Sequence, residues 1–469
     1  MSPLSLSDFE AEALSTLMTY ATLPCLSPAF DHEWENTGAI DQAIELFADF
    51  ARARCFGDAE VRIHRLQGHT PVLTVTIEAT APVSGTTVLY GHLDKQPPLG
   101  DWSEGLGPFT PVRRGDRIYA RGVADDGYAI FAALLAIETM ERDGHAHGRC
   151  VVLIEASEES GSVDLEDHLD ALKDHLGEVE LMICLDSGAL TYDRLWVTTS
   201  LRGLVNVEVT VRVLSQGSHS GSASGVVPSS FRVMRQLIER LEDAATGEVL
   251  LPALHATIPP AHLEAARGIA EEFGDVVARE LPTLDGVDLM GDSPTDRIMR
   301  RTWHPTLSLI GVGGVPEPAH AGNVLRPFTT AVLSFRLPPT VKASDAAAAI
   351  EAALLAPGAA SSEVQVTIVG DADGWVTPSL APWLARALEE ASTHAFGTGP
   401  GFIGEGGSIP FLASLGRRYP EVQFVATGAL GPHSNAHGID EMLDLPTAVK
   451  ITNAVATILG AFAREKASR

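Results

Sequence analysis

The chain divides into segments with two different patterns of hydrophobic and polar residues. In the first 200 residues, short apolar runs of strand length alternate with longer segments of helical periodicity. The predicted strands are 71–79, 87–90, 151–154 and 181–185, and the predicted helices are 37–53, 128–142 and 164–175. Strands that are apolar on both faces and joined by helices form largely parallel sheets, so this part of the chain predicts an α/β fold.

The pattern changes near residue 200. The segment 204–213 alternates between apolar and polar residues, which is typical of a strand with one face in solvent. Further elements of this second type are predicted as strands 307–312, 331–337 and 363–369 and helices 228–243 and 343–355. The first pattern then returns, with helices 378–396 and 445–465 and strand 422–426. We predict an α/β domain with a mostly parallel central sheet (residues 1–198 and 371–469), interrupted by a smaller inserted α+β domain (199–370).

Charge and composition exclude several classes of protein. The 469 residues contain 61 Asp+Glu against 33 Lys+Arg, so the formal net charge is −28. Such a surplus repels phosphate groups, which argues against nucleic acid and anionic membranes as partners. Uninterrupted apolar runs stay well short of a membrane span, and the first residues lack a secretory signal pattern. We therefore expect a cytoplasmic protein without a membrane partner.

The four cysteines are far apart and form no CxxC pair: Cys25, Cys55, Cys150 and Cys184. This spacing predicts buried thiols rather than a disulfide framework or a thiolate zinc site. Any bound metal would therefore need histidine and carboxylate ligands.

Five clusters of acids and histidines follow apolar, strand-like runs or precede helices. They are His92 with Asp94, Asp125 with Asp126, Glu158 with Glu159, Asp186, and His433 with His437. Taken singly, each is a surface histidine, a helix cap or a solvated loop. The steps of 33, 34 and 27 residues from His92 to Asp125, Glu159 and Asp186 are each about one βαβ unit long. This spacing predicts that the side chains meet at one sheet edge.

These motifs together resemble the M20 metallopeptidases, most closely their dipeptidase branch. The resemblance rests on Gly91-His-Leu-Asp, Arg121-Gly-Val-Ala-Asp-Asp, Ser157-Glu-Glu-Ser-Gly-Ser, Leu185-Asp, His219-Ser-Gly, Gly406-Gly-Ser and Pro432-His-Ser. One position departs from the pattern, since Gly127 stands where the dipeptidases usually have Lys after the two acids. Under this resemblance the position of Gly127 is not a metal ligand, so the change should not affect metal binding. It bears instead on local packing and on the range of substrates.

The resemblance implies a site with two divalent metal ions. His92 and Asp186 would hold one ion, Glu159 and His433 the other, and Asp125 would bridge them. Zinc is expected, and manganese and cobalt are alternatives that the oxygen and nitrogen donors also suit. Glu158 would be the general base that deprotonates a metal-bridging water to give the attacking hydroxide, and Asp94 would orient His92. His437 is expected only to flank the site.

The inserted domain supplies further residues by the same resemblance. His219 would stabilise the oxyanion in the active site of a partner subunit, which implies a homodimer through this domain. Asn323, Arg336, Gly407 and Ser408 would bind the substrate, with the Arg336 guanidinium and the amides near Gly407 suited to a carboxylate. A structural salt bridge is an equal alternative for Arg336.

The expected activity is hydrolysis of a peptide bond next to a free carboxylate, in a dipeptide or at a C-terminal residue. An N-acyl-amino-acid deacylase with the same metals is the alternative. Two less favoured hypotheses are a catalytically dead scaffold on the same fold and a structural protein with a single metal ion.

Overall fold

The computed structural model describes residues 2–54, 59–281, 283–358, 362–407 and 410–467. The chain forms two compact units. The first contains Met1–Thr199, Thr377–Ile403 and Ser414–Arg469, and the second contains Ser200–Val376 and Gly404–Ala413. The sequence prediction had assigned 404–413 to the α/β domain. The structure groups the described part of this segment with the second unit, where the Arg202 guanidinium donates to the Gly406 carbonyl and the Arg202 amide to the Gly407 carbonyl, at 3.0 Å each.

A mixed β-sheet forms the centre of the first unit. Its strands, in spatial order, are Glu60–His64, Val72–Ile77, Arg149–Glu155, Thr86–His92, Val179–Cys184, Gln423–Ala426, Trp196–Leu201 and Trp375–Val376, and Gly401–Glu405 also pairs with Trp196–Leu201. The four strands from Arg149–Glu155 to Gln423–Ala426 run parallel, and the flanking pairs are antiparallel. The α/β class is confirmed. The sheet is mixed rather than mostly parallel because antiparallel strands extend both edges.

Helices cover this sheet. They are Leu6–Phe9, Ser15–Ala21, Trp34–Thr37, Ala39–Arg52, Ala129–Arg142, Leu165–Ala171, Lys173–Leu176, Pro382–Phe396 and Leu445–Ala467, and Pro410–Arg418 ends in this unit. A small sheet of Val112–Arg114, Arg117–Tyr119 and Met442–Asp444 completes it. The helix Leu445–Ala467 has the length and apolar composition of a membrane span, but 78% of its most apolar window is buried. Such burial is expected of a core helix in a globular fold.

Most predicted helices of the first unit occur with slightly different ends. The predicted helix 37–53 is Ala39–Arg52, because Gly38 in a left-handed conformation (φ 67°) separates it from Trp34–Thr37. The predicted helix 164–175 is two short helices divided at Leu172. The N-terminal helices were not predicted, although Phe9, Leu17 and Tyr20 are buried in the core.

The second unit contains an antiparallel sheet with the strand order Thr306–Gly313, Phe328–Leu337, Gly203–Arg212 and Glu363–Ala372. Alternate residues of Gly203–Arg212 are buried, as the sequence pattern predicts. A two-stranded ladder is formed by Ser218–His219 and Val324–Leu325, and the helices are Ser220–Ala223, Ser230–Ile238, Pro260–Phe273, Val276–Glu280, Pro294–Thr302 and Ala343–Leu355. The helix predicted at 228–243 ends at Ile238. The three helices between 260 and 302 were not predicted.

Candidate metal centre

Three adjacent parallel strands of the first unit deliver acids and a histidine to the same edge of the sheet. His92 ends the strand Thr86–His92, and Asp186 follows Val179–Cys184 by two residues. Glu158 and Glu159 lie in a short 3₁₀ turn after Arg149–Glu155. Because parallel strands present their carboxyl ends at one edge, these side chains come together.

His92 lies at the centre of this group. Its Nε2 is 3.3 Å from Asp125 Oδ1 and 3.8 Å from Asp186 Oδ2. One donor atom from each of His92, Asp125 and Glu159 lies within 4.8 Å of the others, and the same holds for His92, Glu158 and Asp186. The structure therefore places five of the predicted residues close enough to share bound cations.

Asp94 is buried behind His92 and supports two parts of the site. Its Oδ1 is 3.5 Å from His92 Nδ1, and its backbone carbonyl oxygen is 3.1 Å from the same nitrogen. The backbone amides of Glu158 and Glu159 donate to the Asp94 carboxylate at 3.1 and 3.0 Å. Asp94 thus fixes both the imidazole and the turn that carries the two glutamates.

The structure places His437, and not His433, against the carboxylates. His437 Nε2 is 3.0 Å from Asp125 Oδ2 and 3.2 Å from Glu159 Oε2. In the part of the chain that the structure describes, His433 forms no hydrogen bond or ion pair with the cluster; both histidines are exposed, so their contacts and not their burial distinguish them. The two histidines lie four residues apart on a loop with several left-handed residues, so the path of the backbone decides which one faces the acids.

Asp125 lies between two sets of donors. Its Oδ1 faces His92, and its Oδ2 faces His437, which also contacts Glu159. A carboxylate whose two oxygens face different donor sets can bridge two cations. The oxygen and imidazole donors fit divalent ions such as zinc, and manganese or cobalt equally.

The electrostatics of the cluster also favour cations. Burial raises the pKa of Glu158 and Glu159, and it raises the pKa of Asp186 to about 7. Burial opposes ionisation of Asp125 too, but hydrogen bonds from His437 and His92 outweigh it and lower its pKa. The carboxylates in turn raise the pKa of His437 to about 11, although burial acts in the opposite direction. Buried acids at this density require positive charge for full ionisation.

A buried ion pair that was not predicted holds the loop of Asp125. The backbone amides of Gly122, Ala124 and Asp125 donate to the Glu441 carboxylate at 2.9, 3.1 and 3.2 Å. Arg121 Nη1 donates to the same carboxylate at 2.8 Å, and its Nη2 donates to the Gly438 carbonyl beside His437. One pair therefore connects the loops that carry Asp125 and His437. No local pattern indicates it, since Arg121 and Glu441 are 320 residues apart.

The predicted residues of the second unit lie in different parts of that unit. His219 pairs with Val324 in the ladder Ser218–His219/Val324–Leu325, and the Ser220 amide donates to the Asn323 carbonyl at 2.9 Å. His219 and Asn323 are therefore neighbours, and both are exposed. Arg336 lies on the strand Phe328–Leu337, opposite Leu204 and Thr306.

The structure describes only one of the two residues, Gly407 and Ser408, that are predicted to bind a carboxylate. Gly407 is exposed, and among the described residues a Cβ atom at this position would meet nothing within 4 Å. Ser408 lies outside the described residues. The open surface at Gly407 leaves room for a ligand to approach the backbone.

The similarity to known proteins identifies the family of the chain. The profile of Peptidase family M20/M25/M40 matches residues 88–461, so the chain belongs to this family of hydrolases. A cysteinylglycine-S-conjugate dipeptidase from Corynebacterium striatum is 27% identical over 371 residues, 78% of each chain. A human Beta-Ala-His dipeptidase is 25% identical over 377 residues, 76% of this chain and 72% of its own. The resemblance to M20 peptidases found in the sequence is confirmed.

Solved structures show the same fold. The di-peptidase Dug1p from Saccharomyces cerevisiae superposes with a TM-score of 0.78 at 21% identity, covering 98% of this chain and 97% of its own. At this level of identity the match establishes the architecture.

Proposed function

We propose that this M20 peptidase is a metal-dependent dipeptidase with two divalent ions in its first unit. His92 and Asp186 would hold one ion, His437 and Glu159 the other, and Asp125 would bridge them. The position of Asp125, with one oxygen towards each donor set, is the observation that carries this proposal. The names of the related dipeptidases support a dipeptide as substrate.

Bound ions would polarise the scissile carbonyl and make a water molecule more acidic. Glu158 would take the proton of the attacking water and return it to the leaving amine. Its place on the turn held by Asp94 directs it into the cluster, and burial raises its pKa, which makes it a stronger base than an exposed glutamate. Asp94 would keep the His92 imidazole in place, and Gln96 would restrain Glu159 through a 2.7 Å hydrogen bond.

The second unit would complete the site. We propose that His219 stabilises the oxyanion in a partner subunit, that Asn323 contacts the substrate, and that Arg336, Gly407 and Ser408 bind its free carboxylate. The close neighbourhood of His219 and Asn323 supports a shared role. This proposal includes a homodimer through the second unit, zinc as the principal metal, and a cytoplasmic location.

The proposal is tested with a panel of dipeptides and N-acyl amino acids, with and without added zinc, manganese or cobalt. We expect hydrolysis of dipeptides and a stoichiometry of two ions per chain by elemental analysis. Turnover of N-acyl amino acids alone would favour the deacylase, and one ion per chain would contradict the bridging role of Asp125.

The role of Glu158 is tested separately with Glu158→Gln. This variant should lose about 10²–10⁴-fold in kcat while both ions stay bound, because the amide cannot accept the proton. Glu138→Gln, which changes a glutamate paired with Arg54 in the same unit, serves as the matched control and should keep wild-type turnover. Near wild-type activity of a fully loaded Glu158→Gln protein would refute the assignment.

A further inference from the structure

The second unit contains a cavity to which neither the family resemblance nor the proposed mechanism assigns a role. Its volume is about 980 Å³. It is lined by residues of the segment 247–306 together with Arg202, and none of the residues proposed to bind metal or substrate lines it. Cavities that bind whole small molecules have volumes of about 300–1,000 Å³, so this one can hold a complete ligand.

Much of the wall is apolar. Of its lining residues, Val249 and Trp303 are buried and Ile258 is half-buried. Val287 and Met290 also line the cavity, yet they remain 55% and 54% exposed. Apolar side chains that face a cavity without packing partners gain by contact with an apolar ligand, at roughly 25 cal/mol for each Å² that is buried.

Arg202 supplies a buried positive charge to the same cavity. Arg202 is only 9% exposed. Its guanidinium donates hydrogen bonds to neutral groups, namely the Gly406 and Arg300 carbonyls and the Thr306 hydroxyl. Within the described part of the chain, Arg202 forms no ion pair. The other three lining arginines each have a carboxylate within 4.0 Å: Arg297 with Asp275, Arg300 with Asp296 and Arg301 with Glu405.

A desolvated guanidinium without an anion is energetically unfavourable. Burial, together with the nearby charges of Arg336 and Arg301, lowers the pKa of Arg202 to about 10. An anion in the cavity would compensate for the desolvation of the guanidinium and would stabilise its charged form. The arginine is therefore the part of the wall that is suited to an anion.

We propose that this cavity binds a small organic monocarboxylate, with its carboxylate at Arg202 and its hydrocarbon part against Val249, Trp303 and Met290. A single charge matches the single guanidinium that lacks an acidic partner. Glu248 and Asp288 also line the cavity, so a phosphate or a dicarboxylate, with its higher negative charge, would be repelled more strongly than a monocarboxylate. The ligand class is thus a carboxylic acid with an apolar chain.

The test uses octanoate and the metal-loaded, full-length protein. Isothermal calorimetry should show saturable binding of one octanoate per chain, with a Kd on the order of 1 mM or tighter. Ile258→Trp, which fills the cavity from a segment outside the helices, should weaken binding at least tenfold. Leu284→Trp, at a residue 80% exposed that does not line the cavity, is the matched control and should bind as wild type.

A second variant tests the charge. Arg202→Gln should weaken octanoate binding at least tenfold while octanol, added as an uncharged probe, is unaffected. The proposal is overturned if the wild type does not bind octanoate, or if both Ile258→Trp and Arg202→Gln bind it normally. Because binding is measured by heat and not by hydrolysis, this result is independent of the dipeptidase assay.

Competition identifies the natural source of the carboxylate. If octanoate raises the KM for a dipeptide with an apolar C-terminal residue, the cavity takes the carboxylate end of the substrate. If KM does not change while octanoate is bound, the occupant is a separate organic acid. Saturable binding that depends on the cavity and on Arg202 supports the site in either case.

Discussion

Replacement of Glu441 by glutamine tests whether the buried ion pair positions the metal ligands. Glu441 and Arg121 have side chains that are 0% and 1% exposed. The carboxylate accepts four hydrogen bonds, three of them from the backbone of the Asp125 loop. Glutamine keeps one acceptor oxygen but turns its NH₂ group towards donors, and it leaves the Arg121 guanidinium without a counter-charge.

The cost follows from this geometry. Removing one member of a buried ion pair costs about 3–5 kcal/mol, because the other charge stays buried and unpaired. We expect Glu441→Gln to lower the free energy of unfolding by about 3 kcal/mol, measured with urea. Residues that orient metal ligands typically contribute 10–100-fold to metal affinity, so a chelator competition should show a loss of that order. A purely structural role would reduce stability without weakening the metal affinity of the folded protein.

Glu138→Gln is again the control, since it breaks a partly exposed ion pair with Arg54 (3.0 Å) in the same unit. It should cost about 1 kcal/mol or less and leave metal affinity unchanged. Glu441→Asp keeps the charge and should recover part of the metal affinity. Unchanged metal affinity in Glu441→Gln would refute the positioning role.

Three further predictions concern single residues. His437→Ala should lower metal affinity at least tenfold in the chelator competition while His433→Ala leaves it unchanged, and the opposite result would restore the assignment made from the sequence. Burial raises the pKa of Glu155 from 4.5 to about 7, so the folded protein binds this proton more tightly than the unfolded chain does. The stability that the bound proton contributes at low pH is therefore lost as the pH rises from 4.5 to 7. The free energy of unfolding of Glu155→Gln, measured with urea and compared with that of the wild type, should therefore rise by about 3 kcal/mol as the pH increases from 4.5 to 7. A difference between the two proteins that does not depend on pH would contradict this. Gly127→Ala should lower the free energy of unfolding by about 1–3 kcal/mol, because the new Cβ would lie 2.2 Å from a ring carbon of Tyr20. An unchanged Tm would show that the ring moves freely.

The sequence predicted the architecture where periodicity is strong. The apolar strands before His92, Glu158 and Asp186 and the alternating strand Gly203–Arg212 all occur. Regular spacing of one βαβ unit was enough to bring the acids to one edge, because parallel strands leave little freedom in where they end. The helices Pro260–Phe273 and Pro294–Thr302 were missed although each begins at a proline, and Ser293 before the second caps it by accepting a hydrogen bond from the Asp296 amide.

The details of the candidate site depend on non-local geometry. His433 and His437 both have left-handed backbone conformations, with φ of 69° and 63°. Side-chain direction in such a loop follows no period, so the sequence alone could not show which histidine faces Asp125. The same limit applies to Arg121 and Glu441, whose pairing depends on two loops that meet only in the folded chain.

The structure also explains the departure at Gly127. A side chain there would collide with Tyr20, whose ring occupies the space, and with the Gly122 carbonyl oxygen at 2.5 Å. Lys95 is fully buried beside this loop, and its ammonium lies 4.1 Å from the centre of the Tyr20 ring.

This arrangement fixes the N-terminal segment to the metal-site loop. Lys95 Nζ donates to the carbonyls of Tyr20 and Leu23 at 3.0 and 2.9 Å, and the Tyr20 hydroxyl donates to the Leu93 carbonyl at 2.9 Å. The loop of Asp125 is thus supported by Glu441 through its backbone amides and by Tyr20 and Lys95 through packing. The glycine therefore removes a side chain for which this chain has no space and leaves the ligands at the sheet edge in place.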